Sequence, residues 1–113
     1  MSSGLGPAAF GVDVHEDDGR VVVALHGELD LATADEFERA LMPPLNDGRD
    51  VVLDLRGLGF IDSSGVRVVV KAHTSATENG CRLTVLRGDP DGPVGRVLEI
   101  SGLNEILELG DES

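Results

Sequence analysis

The chain has one cysteine, few basic side chains and no long apolar run, and each shortage narrows what it can be. Cys81 has no partner within the chain, so no internal disulfide staples the fold, and a lone thiol suits a reducing compartment. In itself Cys81 reads as a small apolar core residue. No stretch approaches the roughly 20 apolar residues that span a bilayer. The Gly/Ser/Pro-rich start, residues 1–9, lacks the basic region and apolar run of a signal peptide. Residues 1–9 and 110–113 are therefore expected to be loose tails around a single domain, residues 10–109, and the protein is expected to be cytoplasmic. With 9 Lys+Arg against 21 Asp+Glu, the formal net charge is −12. That field repels nucleic-acid phosphates and anionic membranes and favours partners with a basic face, so DNA binding is not expected.

What is present is enough for a core. The 113 residues are 41% hydrophobic, and a chain of this size buries about two-thirds of its unfolded surface. Phe10, Val12 and Val14 alternate with polar neighbours and predict a strand over Phe10–Glu16. Asp17-Asp18-Gly19 predicts a hairpin turn, and the more uniformly apolar Arg20–His26 a second, more central strand. Thr33 with Glu36 matches a capping box, opening a helix striped by Phe37, Ala40 and Leu41 that Pro43-Pro44 should stop or bend.

Asp50–Leu55 reads as a buried strand and Arg56–Ile61 as a loop. Val66 to Asn79 fits a strand by propensity, but its length, its Asp/Ser start and Gly80 at its end favour a helix. Cys81–Leu86 is a further strand, Val94, Val97, Leu98 and Ser101 stripe a last helix, and Leu103–Leu109 is expected to end the chain as a short strand. Alternating strands and helices imply a two-layer α/β domain, a mixed sheet with helices packed against it.

The four residues Asp62-Ser63-Ser64-Gly65 stand out because they lie where a strand and loop give way to a helix. A helix start presents unpaired N–H groups and a partial positive charge. Taken alone, Asp and Ser there are what ordinary capping produces, at about 1 kcal/mol. Gly65 would leave the first turn open to close approach by another molecule. His15, His26 and His73 show no metal-ligand spacing with Cys81 or with one another, so neither a metal nor a cofactor is expected.

The wider pattern separates capping from function. Gly27-Glu28-Leu29-Asp30, then Asp54-Leu55, then Phe60-Ile61-Asp62-Ser63-Ser64-Gly65, then Arg96-Val97-Leu98-Glu99-Ile100-Ser101-Gly102-Leu103 occur in this order. Together they resemble the STAS domain and, within it, the anti-sigma factor antagonists, from about Gly11 to Leu109. The resemblance implies a protein that binds an anti-sigma factor with serine kinase activity, is released when that kinase phosphorylates Ser63, and is reset by a serine phosphatase. It also implies a partner surface that includes Glu28 and Asp30, which otherwise read as a turn and a helix start. Asp62 either caps the helix or positions the hydroxyl for the kinase, and Ser64 reads as a second cap. Arg67, four residues beyond Ser63, either pairs with the phosphate or is a solvated surface arginine. After Gly65 the family often has leucine, where this chain has Val66.

Three other readings stay in view. A constitutive STAS adaptor of a transport or stress-signalling complex would keep the fold and drop the switch. A serine hydrolase would need the Gly-x-Ser-x-Gly turn, which is absent. Independent nucleotide binding would need a Walker-type loop, also absent, and no lysine lies near Gly65.

Overall fold

The computed structural model describes residues 9–110, so most of the two expected tails lies outside the described residues. Strands β1 (Gly11–Asp17) and β2 (Arg20–Leu29) form an antiparallel hairpin in which Val14 faces Val23. Asp18 and Gly19, at φ 55° and 82°, make its tight turn, the left-handed pair that matches strand twist. Helix α1 (Ala34–Asn46), strand β3 (Val51–Ile61), helix α2 (Ser63–Asn79), strand β4 (Leu83–Leu86), helix α3 (Pro93–Ile100) and strand β5 (Glu108–Leu109) follow. The sheet order is β1-β2-β3-β4-β5, with β2 to β5 parallel. Parallel neighbours need long connections, and the helices supply them. The result is the expected two-layer α/β domain with a mixed sheet.

The core follows from the two periodicities. Val21, Val23, Leu25 and Leu29 of β2 point to one face, and Phe37, Leu41 and Leu45 of α1 line up at i, i+4, i+8 against it. Val69, Ala72 and Ala76 of α2, Val85 of β4 and Leu98 of α3 complete a single buried cluster. Cys81 packs partly buried beside it with its thiol directed at the Leu45 carbonyl, and burial pushes that thiol's pKa up.

Four expectations need correction. Arg56–Ile61 is not a loop but the second half of β3. Two register shifts against β2 place extra residues in β3, so that Leu55, Leu58 and Ile61 are buried at every third position and the alternation is lost. Gly57 and Gly59, which read as loop residues, sit in this bulged segment. At the first bulge Arg56 grips Asp54 through Nε at 2.9 Å and holds its carboxyl below the usual range.

Pro43-Pro44 do not stop α1, which runs on to Asn46. Their missing N–H groups cost two helical hydrogen bonds, but their carbonyls still accept from Asp47 and Arg49, and Leu45 behind them is fully buried. Thr33 forms no capping box, as described below. Finally, Leu103–Glu105 is a short 3-10 turn, and only Glu108–Leu109 pair as strand.

Candidate functional site

Because β2 and β3 are parallel, they end on the same side of the sheet. Glu28 lies beside Phe60 and Leu29 beside Ile61, and the Asp62 N–H donates to the Leu29 carbonyl at 3.1 Å. The turn after β2 and the start of α2 are thereby fixed side by side.

Asp62 is the cap of α2. Its backbone is extended, at φ −115° and ψ −172°, and its Oδ1 accepts from the N–H groups of Ser64 at 2.8 Å and Gly65 at 3.4 Å. This assigns capping to the aspartate and frees the serines. Ser63, the first helical residue, is exposed, and its hydroxyl makes no hydrogen bond among the described residues. Ser64 is half-buried and contributes its backbone N–H rather than a capping hydroxyl, which corrects the expectation of a second cap.

Gly65 also differs from expectation. It is buried, and a Cβ there would lie 2.7 Å from Leu29 Cδ2 and 2.8 Å from Ile61 Cγ1. The missing side chain makes room for the sheet, not for an incoming molecule. It lets α2 start hard against the ends of β2 and β3.

The neighbouring turn is built differently. The Asp30 N–H donates to Thr33 Oγ1 at 2.9 Å, the Ala32 N–H donates to Asp30 Oδ1 at 3.0 Å, and the Thr33 hydroxyl lies 3.2 Å from the Glu28 carbonyl. The threonine side chain is spent on closing the Asp30–Thr33 turn, so it cannot reach forward into α1. Glu28 is exposed and Asp30 half-buried, and with Asp62 they place three carboxylates at this end of the sheet. Arg67, exposed one helical turn beyond Ser63, makes no hydrogen bond or ion pair among the described residues.

Two residues were missed in reading the sequence. Leu31, at the tip of the braced turn, is 79% exposed, and Phe60, beside Glu28, is 43% exposed. A leucine between Asp30 and Ala32 in a turn was the available signal for the first. Phe60 became visible only through the bulge that turns it out. The site thus presents a free hydroxyl, apolar projections and carboxylates on a hydrogen-bonded frame. Among the described residues no group of His, Cys, Asp or Glu could hold a metal ion, and no helix is long and apolar enough to cross a membrane.

Comparison with known proteins bears on this arrangement. The family model described as Mlab, STAS domain matches residues 12–108. The anti-sigma-B factor antagonist of Staphylococcus aureus (strain NCTC 8325 / PS 47) is 33% identical over 90 residues, covering 79% of this chain and 82% of that protein. The anti-sigma F factor antagonist of Paenibacillus polymyxa is 30% identical over 102 residues, covering 88% and 86%. The solved structure of the anti-sigma factor antagonist SpoIIAA in its unphosphorylated form superposes with a TM-score of 0.71 at 25% identity, covering 92% of this chain and 90% of that one. On the family match and these relatives, the chain belongs to the STAS domain family.

Proposed function

We propose that the protein is an anti-sigma factor antagonist whose binding is switched off by phosphorylation of Ser63. The observation that carries this reading is the division of labour at the start of α2, where Asp62 caps the helix and leaves the Ser63 hydroxyl exposed and uncommitted. The relatives' names support the class of partner, an anti-sigma factor. The partner contacts Glu28, Asp30, Asp62, Ser64 and Arg67 around Ser63, with Leu31 and Phe60 as apolar anchors and Gly65 supporting from beneath. Exposed apolar side chains held by a rigid frame lose little entropy on binding, and the carboxylates favour a basic face opposite.

The partner acts as a serine kinase. Ser63 Oγ bonds to the γ-phosphorus of ATP, the bond from that phosphorus to the β–γ bridging oxygen breaks, ADP leaves, and the hydroxyl proton passes to a base on the kinase. The phosphate adds about −1.5 to −2 charges. It acts across the interface, because Ser63 supports no internal contact whose loss would loosen the fold. A serine phosphatase restores the hydroxyl. The chain is itself a binding protein of the cytoplasm rather than an enzyme: a nucleophilic serine needs an adjacent base, and the Ser63 hydroxyl is hydrogen-bonded to none among the described residues.

Capture with three tagged baits tests the reading: wild type, Ser63→Ala and Ser63→Glu. An ATP-binding serine kinase retained by Ser63→Ala and lost with Ser63→Glu is the expected result. The same transporter or scaffold components on all three baits would make the domain a constitutive adaptor and end the switch.

A further inference from the structure

We propose that Arg67 is the counter-ion of the phosphate carried on Ser63, its guanidinium folding back one turn along α2 onto the phosphate oxygens. The inference rests on Ser63 being the modified residue and concerns how the modified state is held.

The helix end is poorly placed to neutralise that phosphate by itself. Asp62 Oδ1 already accepts from the N–H groups of Ser64 and Gly65, and Gly65 is buried. A phosphate on Ser63 therefore meets a carboxylate where an uncapped helix would offer donors. Glu28 and Asp30 bring further negative charge to the same end of the sheet. A dianion added here needs a cation close by.

Arg67 is that cation. It follows Ser63 by four residues, both are exposed, and residues so spaced face each other on a helix. The acid stands N-terminal to the base, which is the favourable order. Arg49 is paired with Glu16, Arg56 with Asp54, Arg82 with Glu108, and Lys71, the next basic residue along α2, with Glu38, while Arg20 and Arg39, which also lack an ion pair among the described residues, stand on β2 and α1. Arg67 has no such partner among the described residues. Its planar fork suits two parallel hydrogen bonds to phosphate oxygens. Phosphorylation would then do two things together, adding charge at Ser63 and withdrawing a positive group from the surface offered to the anti-sigma factor.

The test needs no kinase. Phosphoserine is installed at position 63 by genetic encoding, and the phosphate is titrated by phosphorus NMR at low salt in the full chain. Asp62, Glu28 and Asp30 are common to every variant and cancel from the comparison. The second ionisation is expected about 0.3 unit lower with Arg67 than in Arg67→Gln. Arg67→Lys should restore part of the difference, and added salt should shrink it. The Arg67 Nε–H signal should move on phosphorylation, while unphosphorylated Arg67→Gln melts as wild type. Equal midpoints in wild type and Arg67→Gln, with an unmoved Nε–H signal, would overturn the clamp. Because the phosphate is installed independently of any partner, that result would leave the switch standing. Failure of the three-bait capture alone would remove the switch, while a lowered midpoint would still hold for the installed phosphate.

Discussion

Helices α1 and α2 begin with the same kind of residues and are started by different physics. Before α1 stands Thr33, before α2 Asp62 with two serines, and by composition each is a capping signal. At α2 the expectation holds for one residue: Asp62 takes two backbone N–H groups and the serine hydroxyls are spare. At α1 the side chain turns backward, ties Glu28, Asp30 and Thr33 into a closed turn, and leaves the helix without a side-chain cap. The difference lies in what each loop must do. The β2–α1 turn is closed by side-chain hydrogen bonds with Leu31 exposed at its tip, whereas α2 is capped by its aspartate and the Ser63 hydroxyl stays free of hydrogen bonds among the described residues. Local sequence names the residues able to cap; the surrounding backbone decides where their hydrogen bonds go.

The largest effect that can sharpen this contrast is at Gly65. A Cβ there meets Leu29 and Ile61 inside their contact distances, in a wall that is fully buried. Gly65→Ala should cost about 1–3 kcal/mol of overpacking, read as a lower midpoint in urea. A neutral result would mean that α2 does not start hard against the sheet and that glycine is there for a partner's approach after all.

Asp62→Ala should cost about 1 kcal/mol, the loss of an N-cap. Thr33→Val should cost slightly less, because it removes hydrogen bonds of a half-exposed turn and no cap. Its distinguishing mark is faster amide exchange at Asp30, whose N–H loses its acceptor, without fraying of the first turn of α1. If Thr33→Val instead frays α1, the threonine caps in solution and the contrast between the two starts is lost.

Much of this was legible in advance, and the gaps have physical causes. Alternation in β1, the apolar run of β2, the Asp-Gly hairpin and the Asp/Ser start and Gly80 stop of α2 are local signals that tertiary structure had no reason to override. The end of β3 was misread because a bulged strand carries glycine and loses its period of two, so Arg56–Ile61 looked like a loop. The prolines in α1 were given too much weight, since they remove hydrogen bonds while Leu45 beyond them gains a fully buried place. At the site, the position of Asp62-Ser63-Ser64-Gly65 was readable and the allocation of roles was not. The Asp62 cap was one of two readings its position left open, and packing rather than openness at Gly65 depends on where Leu29 and Ile61 sit, which no spacing within four residues contains.

The smallest expected effect is the most discriminating. Ser63→Ala removes a hydroxyl that makes no internal hydrogen bond, so its stability should stay within about 0.5 kcal/mol of wild type, as for an ordinary surface substitution. Measured beside Asp62→Ala in the same urea titration, it separates two residues that a helix-start motif treats alike. If Ser63→Ala costs as much as Asp62→Ala, the hydroxyl shares the capping, and phosphorylation would then disturb the helix as well as the interface. If it costs nothing, the hydroxyl has no structural use, and a modification there can change what the surface binds while leaving the fold beneath it as it was.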